Sequence, residues 1–369
     1  MLTPNAESNI RFWEHAPGTS DHLFSTFNVK ISSQGLRDRE VGPKRKNETR
    51  ILLLGDSFTY GFGVEFDNTI GQHLEDLLNR GDWSNHVTVI NGGVEGYGPW
   101  QERILLNERG FALEPDIVLL QIFPTNDIDN TLGKIDKKLR RFDNLWQQEL
   151  ENRRRWATWP VRLHEWLRKY SALYTAIGKA TGNAAPLIAF LECTRFYPAP
   201  KPSQMISKDP LYWLEAERKE WYPELVEGQS LMEQDLLTIR DDCEKKDIQF
   251  WAYTMPDRDT VCDKFWANCM KMSQDPNSYE RGKSARVMDS FYTHEHISFI
   301  DVPAAIRESE DPCGLYFIND GHLNPTGTAV VAEALALGLK DTLRAGLAQK
   351  LPDVRTPSER ARLQRVQER

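Results

Sequence analysis

The 369-residue sequence has no long apolar run. The longest, around residues 186–191, falls far short of the roughly 20 residues a membrane-spanning helix needs. It also lacks a basic excess: 46 Lys and Arg stand against 54 Asp and Glu, and the net charge of −8 argues against general nucleic-acid binding. The five cysteines (Cys193, Cys243, Cys262, Cys269 and Cys313) include no C-x-x-C pair, so no zinc centre is expected. No G-x-G-x-x-G occurs, which removes the simplest phosphate-binding loop. No internal repeat is evident, and the N-terminal residues lack the apolar core of a signal peptide. A signal or anchor removed from upstream of this chain is one reading of that start and would place the protein outside the cytoplasm; a cytoplasmic protein is the other.

What remains is ordinary globular composition, 40% apolar and 27% charged, in a chain long enough for one large domain with an insertion. Residues 1–49 read as an irregular leader packing on the core, with one short edge strand at Phe27-Asn28-Val29-Lys30-Ile31. A periodic pattern then starts. Strands are expected at 50–54, 86–90, 116–123, 248–253 and 297–302, and helices at 70–78, 101–109, 225–246 and 325–343. The run DIVLLQIF at 116–123 is apolar enough to be buried on both faces. This alternation predicts an α/β fold, a three-layer α/β/α flavodoxin-like arrangement around a five-stranded, mainly parallel sheet.

The rhythm breaks between the third and fourth strands. The main domain is expected at 50–345, with a helical cap insertion at about 131–235 and a polar tail at 346–369. The insertion is rich in Arg and Trp, including Arg153, Arg154, Arg155, Trp146, Trp156, Trp159 and Trp166; Pro198, Pro200, Pro202 and Pro210 mark a loop within it. Cys262 and Cys269 are near enough in sequence for a local disulfide in an oxidising compartment, five reduced cysteines being the alternative.

In such sheets ligands bind beyond the carboxyl ends of the strands. Four segments fall there: Gly55-Asp56-Ser57, Asn91-Gly92-Gly93-Val94-Glu95-Gly96, Asn126-Asp127, and Asn319-Asp320-Gly321-His322-Leu323-Asn324. Ser57 alone reads as a helix cap. A nucleophilic serine needs a base, a group that orients the base, and donors for an oxyanion. His322, Asp320, the Ser57 and Gly96 amides and the Asn126 side chain supply one of each. Asp56 and Asp127 read as structural acceptors for loop amides, Gly92, Gly93 and Gly98 as turn glycines, and Asn324-Pro325 as the cap and first turn of the last helix.

These four segments resemble, in the right order, the signature blocks of the SGNH hydrolases, the GDSL esterases and lipases. The resemblance implies Ser57 as nucleophile, Gly96 and Asn126 with Ser57 as the oxyanion hole, and His322 as base with Asp320 orienting it. It implies acyl transfer through a covalent ester, with no metal or other cofactor. Two blocks depart from the family pattern. Pro124-Thr125-Asn126-Asp127 stands where G-x-N-D is common, and Asp320-Gly321-His322 where D-x-x-H is common. The D-x-H form is similar to that of members that attach or remove acetyl groups on bacterial polysaccharides. The expected function is a serine esterase acting on small O-acyl esters, acetyl on carbohydrate foremost. An O-acyltransferase acting on a saccharide hydroxyl stays open, as does a non-catalytic binding module that keeps the fold.

Overall fold

The computed structural model describes residues 2–12, 25–80, 86–135 and 211–350. The tryptophans and arginines of the insertion named above, its four prolines, Cys193 and the tail beyond 350 lie outside the described residues. The chain divides into two compact units. The first comprises Met1–Pro124, Gln234–Cys269 and Arg281–Arg369; the second comprises Thr125–Glu233 and Met270–Glu280.

The first unit is built on the expected sheet. Strands β3 (Glu48–Gly55), β4 (His86–Gly93), β5 (Ile117–Ile122), β6 (Gln249–Thr254) and β7 (Ser298–Ile300) run parallel in the order β4-β3-β5-β6-β7. Pairing sets Ile51 beside Val89 and Ile117, and Leu53 beside Asn91 and Leu119. Side chains alternate across a strand, so Ile51, Leu53, Val87, Val89, Ile117 and Leu119 share one face. They pack with Ile70, Leu74 and Leu78 of helix α2 (Ile70–Asn79) and with Val331, Leu335 and Leu339 of the last helix, Pro325–Lys350. Leu52, Leu54, Val118 and Leu120 point the other way and are equally buried. There a turn ends at Gly110, where a Cβ would lie 2.8 Å from Leu52. Burial on both faces is why these strands are continuous apolar runs in the sequence.

The leader differs from expectation. Residues 7–12 form a second strand, β1 (Glu7–Phe12), antiparallel to β2 (Ser25–Lys30). Phe12, Phe27, Val29 and Ile31 gather with Tyr60 into a small apolar cluster of their own. The segment that follows carries Arg37 and Asp38, both buried. Asp38 accepts a hydrogen bond from Asn91 N near the end of β4, at 2.6 Å. Too few apolar positions alternate in Glu7–Phe12 for periodicity to mark it as a strand, and its pairing partner lies beyond a further stretch of chain. Gly92 and Gly93 also differ: they belong to β4, opposite Leu54 and Gly55, rather than to a turn.

The disulfide differs as well. Cys262 is bonded to Cys313, with Cα atoms 4.9 Å apart, whereas Cys269 is a free buried thiol 3.3 Å from Asp259. The reason is helix geometry. Cys262 immediately precedes the helix Asp263–Met272. Seven residues at about 1.5 Å rise each separate it from Cys269 by about 10 Å, too far for a bridge.

In the second unit, Arg218 organises the described residues after 210. It donates to Glu215 and to Ser278 Oγ, and it lies 4.6 Å from the centre of the Tyr279 ring. Backbone bonds from Lys219 N to Ser278 O and from Glu280 N to Glu217 O close the same strap.

Cys262 and Cys313 are 51 positions apart, and a loop of that size implies a stabilisation of up to about 4 kcal/mol. Thermal denaturation of Cys313→Ser, or of the fully reduced protein, is therefore expected to show a clear fall in melting temperature. Coincident unfolding curves with and without reductant would contradict the pairing.

Candidate active site

Strand β3 ends at Gly55, and the chain turns at once into the four-residue helix α1 (Ser57–Tyr60). Close approach demands glycine at this point: a Cβ at Gly55 would lie 2.3 Å from Thr59 Oγ1 and 2.6 Å from Gln121 Oε1. The helix cap is Asp56, not Ser57. Asp56 Oδ1 accepts from Phe58 N at 2.9 Å and from Gln121 Nε2 at 2.8 Å. Burial pushes the Asp56 carboxyl above its ordinary range, opposed by those two hydrogen bonds and by His322. Ser57 is thus the first helical residue, and its side chain is not used as a cap. A residue at that position has no partner within the helix for its amide.

The Ser57 hydroxyl instead meets the last of the four sequence blocks. Ser57 Oγ lies 2.7 Å from His322 Nε2. On the far side of the ring, His322 Nδ1 makes a short hydrogen bond to Asp320 Oδ1, an oxygen that also accepts from the His322 amide. A carboxylate only two residues before its histidine can reach the ring because Gly321 between them has φ of 89°, a left-handed turn open to glycine. The D-x-H spacing therefore yields a complete serine–histidine–aspartate line. With the carboxylate at Nδ1, that nitrogen carries the proton and Nε2 is left as the acceptor facing the serine.

A hairpin holds this loop. Tyr316 and Leu323 pair as an isolated antiparallel bridge, Phe317 N donates to His322 O at 2.8 Å, and Asn324 N donates to Leu315 O at 3.0 Å. Asn324 Oδ1 accepts from Thr326 N and Gly327 N, capping the helix that begins at Pro325. Arg258, on the turn after β6, donates to the carbonyls of Phe317 (3.2 Å) and Ile318 (2.7 Å). The Cys262–Cys313 bridge lies between the same two segments. Nothing in the sequence around Arg258 marks it, because its partners are carbonyls 59 and 60 positions away. The His322 ring sits between Phe58 and Phe62, with each centroid 4.9 Å from its own.

The other two predicted residues occupy strand-end positions. Gly96 is the third residue of a turn closed by Tyr97 N to Val94 O at 3.1 Å, and its φ of 72° suits the glycine position of a type II turn. That turn is tied to the strand before Ser57 by Val94 N donating to Gly55 O at 3.0 Å. Asn126 lies in the first turn of helix α3 (Pro124–Ile135), which follows β5, and is half-buried. Pro124 opens that helix, where a missing amide proton costs nothing because the first turn has no intrahelical acceptor for it. Asp127 accepts from Thr131 Oγ1 through its carbonyl. Ser57, His322 and Asp320 are thus in direct contact, while Gly96 and Asn126 belong to the loop after β4 and the helix after β5. Among the described residues no cluster of His, Cys, Asp and Glu could hold a metal ion.

No protein-family model and no curated protein matches the sequence. Solved structures do resemble the chain. A lipase/acylhydrolase from Enterococcus faecalis is 10% identical, covers 80% of this chain and 96% of its own, and has a TM-score of 0.42. A putative lipolytic protein of the G-D-S-L family from Desulfitobacterium hafniense DCB-2 is 10% identical over 79% of this chain and 99% of its own, at 0.40. An acetylxylan esterase from Geobacillus stearothermophilus is 14% identical over 80% and 96%, also at 0.40. At such identity and score, the functional reading rests on the sheet order and the Ser57–His322–Asp320 bonds rather than on the likeness.

The geometry sets a direct expectation. A fluorophosphonate probe should label Ser57, as located by mass spectrometry. His322→Ala or Asp320→Asn should slow that labelling by about 10³–10⁴-fold. Labelling at the wild-type rate in both variants would separate Ser57 from the pair.

Proposed function

We propose that this chain is a serine esterase of the SGNH type that hydrolyses small O-acyl esters, acetyl groups on carbohydrate being the preferred class. The observation that carries this reading is the 2.7 Å contact between Ser57 Oγ and His322 Nε2, with Asp320 on the ring's other nitrogen. His322 Nε2 takes the Ser57 proton as Oγ bonds to the ester carbonyl carbon. The tetrahedral oxyanion is held by the Ser57 and Gly96 amides and the Asn126 side chain. The bond to the alcohol oxygen then breaks, and His322 returns its proton to that oxygen. Water attacks the acyl-enzyme by the same route reversed, His322 acting as base and Ser57 regaining its proton. Asp320 stabilises the imidazolium formed in each half-reaction without itself taking the proton. No step needs a metal or a cofactor.

The Cys262–Cys313 bridge supports a site of action outside the reducing cytoplasm. Among the described residues no helix is long and apolar enough to cross a membrane. The acidic charge suits a neutral carbohydrate ester better than a nucleic acid.

The test is turnover of a panel of acyl esters, from p-nitrophenyl acetate to acetylated oligosaccharides. Ser57→Ala is expected to lower kcat by as much as about 10⁶-fold. Asn126→Ala should cost about 3 kcal/mol of barrier, roughly a hundredfold in kcat. Equal rates for wild type and Ser57→Ala would end the mechanism. Turnover that appears only on adding a saccharide acceptor would redirect the reading to an O-acyltransferase, with the same residues in the same roles.

A further inference from the structure

Helix α1, which carries Ser57 at its start, is a single turn of four residues. A helix this short does not hold itself together in water. Its last carbonyls lack intrahelical partners, and the loop that follows returns close to Ser57: Gly61 N and Phe62 N both donate to Ser57 O, at 3.0 and 2.9 Å. The direction of the Ser57 side chain therefore depends on what fixes residues 60–64.

One side chain does this, and it comes from outside the sheet. Arg37, only 1% exposed, donates through Nη1 to the carbonyls of Tyr60 (2.8 Å) and Gly61 (2.5 Å). Through Nη2 it donates to those of Val64 (2.6 Å) and, on β2, Asn28 (3.2 Å). Its guanidinium packs against the rings of Phe27 and Tyr60, at 5.2 and 4.9 Å. Gly61 is left-handed, with φ of 83°, and a Cβ there would come within 3.0 Å of Arg37 Nη1, so the turn and the clamp fit each other. Burial disfavours the charge, an effect opposed by Tyr60, Glu65 and Glu95. The four carbonyls are its hydrogen-bond acceptors. A planar fork can serve four carbonyls spread over two segments, whereas the compact ammonium of lysine cannot reach them all. The cation also lies at the carboxyl end of α1, against the last carbonyls of the turn.

We propose that Arg37 is a positioning residue for catalysis: by clamping the carbonyls of Tyr60, Gly61 and Val64 it fixes the turn that aims Ser57 Oγ at His322. This rests on reading Ser57 as the nucleophile and adds a role for one residue of the N-terminal extension. A misplacement of about 1 Å at a reacting atom costs about a hundredfold in rate, and that is the effect expected.

The test compares Arg37→Lys and Arg37→Gln with Ile31→Ala, a change that loosens the same apolar cluster at a side chain not packed on the guanidinium. Each is checked for folding by circular dichroism and for melting well above the assay temperature. Steady-state ester turnover and the rate of Ser57 labelling by a fluorophosphonate are then measured. Both Arg37 variants should lose about a hundredfold in kcat and in labelling rate, with KM within about twofold of wild type. Ile31→Ala should melt lower yet keep its kcat. The proposal is overturned if a folded Arg37 variant retains wild-type kcat and labelling, if Ile31→Ala loses as much rate as they do, or if the loss merely tracks the unfolded fraction. Labelling also separates this proposal from the esterase reading. If wild type hydrolyses no ester of the panel, that reading falls, while the labelling rates still show whether Arg37 aims Ser57.

Discussion

The end of strand β3 is the constraint on which the rest depends. β3 is flanked on both edges, and Ile51–Leu54 are buried on both faces, so the chain first meets polar partners again at the strand's carboxyl end. There the ladder stops and the chain must reverse within a few residues, beneath neighbours already in place. Gly55 allows the approach, Asp56 closes the new helix, and Gln121 on the adjacent strand ties both to β5 by bonding Asp56 and Thr59. What is left over is Ser57, the one hydroxyl of this turn aimed at the strand-end rim. Ser57 is thus exposed to its partner His322 by a crowded turn in which Asp56 Oδ1, Thr59 and Gln121 are already bonded to one another.

Much of this was legible in the sequence because it is local. Aliphatic runs such as ILLL at 51–54 and IVLLQI at 117–122 are the direct trace of burial on both faces, and the five strands and their order of connection follow from it. The Ser57, His322 and Asp320 segments were legible because each is a cluster of unusual residues just after a strand or before a helix. The substitution of D-x-H for the commoner spacing was harder to interpret. It becomes intelligible once Gly321 is seen in a left-handed conformation, a property of φ that the letter G permits but does not announce.

The parts that escaped are those whose partners are distant and polar. Arg37 binds carbonyls 23 to 27 positions away, and Arg258 binds carbonyls 59 and 60 positions away. Carbonyls are present at every residue, so such contacts leave no pattern in composition or periodicity. Cysteine pairing failed for a related reason. Nearness in sequence favoured Cys269, but a rigid helix keeps neighbours at a fixed separation while a loop brings Cys313 close. Strand β1 was missed because its evidence lies in its pairing with β2 and not in its own residues.

The left-handed glycine between Asp320 and His322 has a mechanical consequence. Asp320 and His322 sit on one hairpin tip, bonded to each other through both ring and backbone, so local contacts alone set their separation. Motion of that hairpin against the sheet leaves their mutual distance unchanged and alters only the gap to Ser57. Three side chains on three separate loops have two distances to keep in tune; Ser57, His322 and Asp320 have a single adjustable coordinate. The two arginines brace that coordinate from opposite ends, Arg37 at the serine and Arg258 at the hairpin.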